Sequence, residues 1–206
     1  MRPRLSLALA LALAGCSSVA PVPRYPFVED RDLELRYETL TLAVEADGSV
    51  RVAALFYFVP HAPARDRLLT FPIGPPRRGA QGFTAQLLDA ELGHVRVALG
   101  EPGALPMGEV VESWDIWLGA AGQGPNQSRL LVRYAQPGSG DFGYVLKSGA
   151  YWRGPIRKLV LVVEDPHQRV AAIEVEGHRV DPAKRRRIVL ELDALEPNRG
   201  VKLELK

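Results

Sequence analysis

The strongest constraint in this chain is a two-residue period. Val50, Val52, Ala54, Phe56 and Phe58 share one parity, and Leu40, Leu42 and Val44 share a face just upstream. Successive side chains of a strand point to opposite faces, so such alternation specifies strands with one buried side. Between the two runs stands Ala46-Asp47-Gly48-Ser49. Asp-Gly accepts the positive φ of a tight turn, and the unit reads as a β-hairpin. The pattern continues downstream. Strands are expected over residues 67–73, 83–89, 94–99 and 110–118, the last placing Trp114, Ile116 and Leu118 together. Leu130, Val132 and Tyr134 alternate with Arg129 and Arg133, and Phe142, Tyr144 and Leu146 alternate again. Residues 156–164 are almost wholly apolar, as a strand buried on both faces should be. Residues 170–176, 188–192 and 201–205 bring the expected set to about eleven strands.

A helical period is nearly absent. Its best candidate, residues 181–187, spans only one or two turns and is too short to hold alone. The expectation is an all-β chain, an antiparallel β-sandwich with an open β-barrel as the alternative. No Ser/Gly/Pro-rich linker divides residues 27–206, which read as a single domain.

Composition narrows the function classes. Of 206 residues, 47% are hydrophobic and 24% charged, which is globular and not disordered. A single cysteine excludes a disulfide framework and a Cys-rich zinc site. The formal net charge is +2, but Arg2 and Arg4 lie in a removable leader. Without them 24 Lys/Arg face 24 Asp/Glu, so no global positive field draws nucleic acid, and no nucleic-acid partner is expected.

The leader is of another kind. Arg2 and Arg4 precede residues 5–14, an uncharged, mostly Leu/Ala run. Ten helical residues reach roughly 15 Å, about half of a ~30 Å hydrocarbon core, which suits a signal peptide and not a membrane span. Leu13-Ala14-Gly15-Cys16 resembles the lipobox of bacterial lipoproteins. The resemblance implies cleavage before Cys16, a diacylglyceryl group on its thiol and a further acyl chain, such as palmitate, on the new amine. Residues 1–15 are then a lipoprotein signal peptide. Residues 16–26, with Pro21, Pro23 and Pro26, form a stiff lipidated tether. Ser17 after the cysteine resembles the outer-membrane sorting pattern of proteobacterial lipoproteins.

A second resemblance touches most of the mature chain. Tyr144, Leu146, Ser148-Gly149, Trp152, Gly154 and Ile156 match, at this spacing, a signature of uncharacterised all-β bacterial envelope domains. The Phe71-Pro72 pair, the aromatic strand through Trp114 and the Leu195-Glu196-Pro197-Asn198 loop are similar to further features of those domains. This resemblance implies a fold and a location and transfers no catalytic residue.

No usual catalytic arrangement is present. The chain lacks G-x-S-x-G, S-x-x-K and H-E-x-x-H, and lipidation removes its one thiol. No catalytic residue, metal or cofactor is expected. His61, His94, His167 and His178 are scattered, without ligand spacing. Glu29, Asp30, Asp32 and Glu34 offer oxygens to Ca²⁺, but Arg31 and Arg36 interleave them, and they read as a solvated strand start. Asn126-Gln127-Ser128 reads as a turn.

Two constellations could bind. Trp114, Asp115, Trp117, Tyr151 and Trp152 could present stacking faces and a hydroxyl acceptor to a glycan, while Trp152 read structurally caps the end of a core. Lys184-Arg185-Arg186-Arg187 could meet lipid headgroups or an acidic polymer, or be a basic turn between strands. The leading expectation is a membrane-anchored envelope lipoprotein with a non-catalytic β domain in a protein-interaction or assembly role. Its alternatives are a carbohydrate- or peptidoglycan-binding module and a hydrolase whose carboxylates the fold brings together.

Overall fold

The computed structural model describes residues 32–73, 79–89, 95–100, 103–104, 110–120, 123, 127–138, 140–146, 152–196 and 199–206. The leader, Cys16, Glu29, Asp30, His94, Asn126 and Tyr151 lie outside them.

The described chain is an all-β sandwich of fourteen strands: β1 (Leu33–Val44), β2 (Val50–Pro60), β3 (Arg67–Ile73), β4 (Gln81–Leu87), β5 (Val95–Leu99), β6 (Gly103–Ala104), β7 (Val110–Leu118), β8 (Ser128–Gln136), β9 (Phe142–Tyr144), β10 (Ile156–Glu164), β11 (Val170–Val175), β12 (His178–Val180), β13 (Arg187–Leu195) and β14 (Val201–Leu205). One layer is a six-stranded sheet in the order β13-β10-β1-β2-β8-β4. The opposing layer holds a four-stranded sheet, β12-β11-β14-β9, and a three-stranded sheet, β3-β7-β5, with β6 on β7. No sheet closes into a barrel among the described residues.

The alternation becomes the core. Val50, Val52, Ala54, Phe56 and Phe58 are all buried, as are Leu40, Leu42 and Val44. The hairpin joining them turns where Asp-Gly stands: Gly48 takes φ +82° and its N–H donates to the Glu45 carbonyl at 3.0 Å. Asp47 Oδ1 accepts from the Ser49 amide at 2.9 Å, holding the turn. The loop is a three-residue turn with a left-handed glycine. Phe71 ties the layers, with its ring centroid 6.1 Å from Phe56, 5.8 Å from Tyr134 and 6.1 Å from Tyr144.

Two local features differ from the expectation, and a third decides between its alternatives. β10 runs parallel to β1, from Tyr37↔Lys158 to Ala43↔Glu164, so the large sheet is mixed. The expected burial on both faces is only partly met: Leu159, Leu161 and Val163 are fully buried on one face, while on the other Val162 is buried but Lys158 and Val160 are half-buried. Residues 181–186 form a turn, not a helix: Arg185 N–H donates to the Pro182 carbonyl at 2.9 Å, and Ala183 and Lys184 take φ of 49° and 59°. A left-handed pair cannot propagate a right-handed helix. β12 is an additional strand. It folds back from β11 through Glu176 and Gly177, at φ 49° and 85°, the positive pair of a two-residue hairpin.

Candidate functional site

The outward face of the three-stranded sheet carries part of the expected aromatic set. The register places Leu68, Trp117 and Arg96 in one row and Thr70, Asp115 and Ala98 in the next. Strand alternation turns Asp115 and Trp117 outward together and sends Trp114 and Ile116 inward. Thr70 Oγ1 donates to Asp115 Oδ1 at 3.2 Å. The Arg96 guanidinium lies 5.6 Å from the Trp117 ring centroid, within cation–π range. A groove of about 530 Å³, lined by Leu68, Val95, Arg96, Trp117 and Leu118 among others, opens here. It offers an apolar plane, a guanidinium and, one row away, a carboxylate.

The other aromatics go elsewhere. Trp114 stacks on Phe83, with centroids 4.6 Å apart and planes 5° apart, and its buried Nε1 has no hydrogen-bond partner among the described residues. Trp152 packs on Phe58 at 5.0 Å, at the end of the core. The structure brings Asp115 and Trp117 onto one face and does not place Trp114 or Trp152 beside them.

The basic run sits far from the start of the body. Lys184, Arg185, Arg186 and Arg187 are all exposed. Arg187 pairs across the sheet with Glu164, which is in register with Ala43 near the finish of β1. Leu33, where β1 begins, lies at the opposite end of that strand, roughly 30 Å away at ~3.3 Å per residue. One of these cations is engaged, since Arg187 Nε lies 3.9 Å from Glu164.

Two buried carboxylates were not legible as sites. Glu34 is not solvated. His61 Nε2 lies 2.9 Å from its Oε2, Arg157 Nε 2.7 Å and Arg36 Nε 3.4 Å from its Oε1. Burial pushes the Glu34 carboxyl up, but the hydrogen bonds from His61 and Arg36 and the charges of Arg36 and Arg157 outweigh it and hold it below the ordinary value. Asp32, its neighbour, pairs with Arg65 at 2.8 Å. This is a structural clamp at the start of β1, where the Asp32 carbonyl also accepts from His61 N–H and the Leu33 carbonyl from Arg153 N–H.

Glu38 is 3% exposed and lies in the core itself. It accepts from the Tyr144 hydroxyl at 2.8 Å, across the sandwich from β1 to β9. Burial raises its carboxyl to about 7, against the lowering effect of that hydrogen bond. Tyr134, on β8, has a buried hydroxyl without a hydrogen-bond partner among the described residues. Burial and the nearby Glu38 raise both tyrosines above their ordinary value. The signal was parity. Residue 38 shares the face of Leu40, Leu42 and Val44, and Tyr134 and Tyr144 share faces with buried apolar neighbours.

Among the described residues no group of three or more His, Cys, Asp or Glu side chains is placed to hold a metal ion, and no helix is long and apolar enough to cross a membrane.

No protein-family model matches the chain, and no curated protein matches it. Solved structures show a distant likeness. Native leukotriene A4 hydrolase from Saccharomyces cerevisiae aligns with TM-score 0.48 and 10% identity, over 89% of this chain and 31% of that one. An M1 zinc metallopeptidase from Deinococcus radiodurans aligns with TM-score 0.40 and 13% identity, over 87% and 44%. The chain thus spans less than half the length of either protein, and the likeness transfers no residue and no activity.

Proposed function

We propose that this protein is a lipoprotein of the bacterial cell envelope, held on the membrane, in the outer-membrane sorting class, through acyl chains on Cys16. Its β-sandwich then serves as a non-catalytic interaction or assembly domain. The observation that carries the reading is the register of Arg2 and Arg4, the apolar run and Leu13-Ala14-Gly15-Cys16. One acyl chain binds a bilayer marginally, whereas two or more anchor stably, at ~0.8 kcal/mol per buried methylene. From Cys16 to Asp32 the chain can reach at most about 55 Å when extended. That length lets the body stand clear of the headgroups and meet partners in the surrounding space. The test is fractionation of envelope membranes: Cys16→Ser moves the protein to the soluble envelope fraction, and a variant that stays with the membranes refutes the anchor.

A second reading is favoured by one observation, the shared outward face of Trp117 and Asp115. There the body would bind a glycan, with a sugar ring on Trp117 and a hydroxyl donating to Asp115. Adding peptidoglycan fragments or oligosaccharides should then quench or shift tryptophan fluorescence in the parent, and Trp117→Phe should lose most of that response. An unchanged spectrum removes the reading.

A further inference from the structure

The face of the six-stranded sheet turned away from the core is laid out by its register as rows that cross the strands. The outer rows carry the charges: Asp193, Lys158 and Arg129 nearest the start of β1, and Arg187, Glu164 and Arg51 nearest its end. The two middle rows are mostly uncharged, with Val160, Thr39 and Leu55 in one and Val162, Thr41 and Ala53 in the other. A solvated sheet face ordinarily turns polar residues to water. On this one Tyr37 and Val189 are 45% and 44% exposed. An apolar centre inside a charged rim is the anatomy of a protein interface.

The face is complementary to itself. A second copy turned over about an axis that crosses the strands, between the middle rows, sets each strand on its own twin with the rows reversed. Lys158 then meets the second copy's Glu164, and Asp193 its Arg187. Tyr57 lies over its Arg51, a cation–π pairing. Large side chains meet small ones, Tyr37 on Ala43 and Leu55 on Ala53, while Val160 meets Val162. Glu191 and Arg133 face Val189 and Leu131 toward the sides of the sheet, where long stems reach water. Pairs within one chain are kept: Lys158 Nζ lies 2.6 Å from Glu191, and Arg187 Nε 3.9 Å from Glu164. The meetings between copies extend them into networks of alternating sign. The other in-plane axis, along the strands between β1 and β2, would instead set Lys158 against Arg129 and Arg187 against Gln81.

We infer that this sheet face is a two-fold interface whose occupant is a second copy of this chain. At about 4.8 Å between strands and about 6.7 Å between rows, the face covers roughly 750 Å². A stable interface takes ~800 Å² from each partner. Twisted sheets stack face to face with their strands nearly aligned, as this axis requires. An isologous contact closes on itself, so assembly stops at a dimer. Such an interface rests on the interaction or assembly role proposed above and names its partner.

The test mixes two charge-reversed variants of the full chain in detergent micelles. Analytical ultracentrifugation should find the parent in a concentration-dependent monomer–dimer equilibrium. Lys158→Glu and Glu164→Lys should each keep the parent's circular dichroism and weaken dimerisation about tenfold or more, because each sets like charges face to face twice by symmetry. Mixed in equal amounts, the two variants should recover a dimer within about threefold of the parent's affinity, since every such contact then joins opposite charges. A folding defect cannot produce that recovery. Thr39→Lys, in a middle row, touches no ion pair and should abolish the dimer. A parent that stays monomeric, variants that dimerise as the parent does, or charge reversals that do not recover on mixing would overturn the inference. Cys16→Ser separates the two proposals, because it abolishes membrane retention and leaves the dimer unchanged.

Discussion

β2 and β5 are built from the same kinds of residue and end in opposite surroundings. In β2, Val50, Val52, Ala54, Phe56 and Phe58 lie between β1 and β8 and are buried throughout. In β5, Val97 and Leu99 alternate just as regularly but sit on a rim. Alternation specifies which way a side chain points relative to its own sheet. Whether anything lies in that direction depends on strand order and on the reach of the opposing layer, both non-local. The contrast separates residues that hold the fold from residues that stay exposed at its rim.

The largest expected effect tests that separation directly. Leu161→Ala, at a fully buried position in the central strand β10, should cost about 3 kcal/mol of unfolding free energy, through lost burial and a residual cavity. Leu99→Ala should stay within about 0.5 kcal/mol, because the side chain is already 63% exposed. Urea midpoints measure both. Similar losses would mean that β5 is covered and the contrast is false.

Next in size is the pH dependence of the interior. The Glu38 carboxyl sits at about 7 in the folded chain, against an ordinary 4.5. The folded state therefore keeps a proton that the unfolded state releases. Its contribution favours folding most fully below 4.5 and is lost as pH rises through about 7, a change of roughly 3 kcal/mol at 1.36 kcal/mol per unit. Stability measured between pH 4.5 and 8 should fall more steeply in the parent than in Glu38→Gln, which keeps the shape and cannot ionise. Parallel curves would place Glu38 in contact with water.

Tyr144→Phe sharpens the same point with a smaller effect. It removes the donor that spans the sandwich to Glu38 and leaves a buried acceptor unpaired, at a cost of about 1–2 kcal/mol by thermal or urea unfolding. The smallest effect belongs to the rim: Ala98→Thr, a conservative exposed change in β5, should not move the midpoint measurably. A clear loss there would again indicate a covered edge.

Much of the fold was readable because strand period and turn chemistry are local. β3, β7, β10 and β14 span the residues that alternation marked, and the Asp47-Gly48 turn lies between β1 and β2. What was not readable has identifiable causes. The parallel pairing of β1 with β10 joins segments more than a hundred residues apart, and no local pattern encodes it. β12 was hidden because its turn uses Glu176-Gly177, where glutamate is an uncommon residue at positive φ. The run at 181–187 is too short for a helix to hold alone, and of its open alternatives the basic turn between two strands is the one that forms.

The candidate sites divide in the same way. Parity correctly separates Asp115 and Trp117 from Trp114, since alternation on one strand is local. It also marks Glu38 as inward, although hydrophobicity alone would place a glutamate outside. It cannot show that His61, Arg36 and Arg157 converge on Glu34, because β1, the end of β2 and β10 meet only through topology. Nor can it show that Val97 and Leu99 stay exposed, because exposure at a rim depends on sheet order.

The reading as a tethered body turns on the chemistry of Cys16. The direct measurement is mass spectrometry of the amino-terminal peptide from protein extracted out of membranes. The account predicts a peptide that begins at Cys16 and carries a diacylglyceryl group with a further acyl chain on its amine. A peptide beginning at any other residue, or an unmodified thiol at position 16, would contradict it.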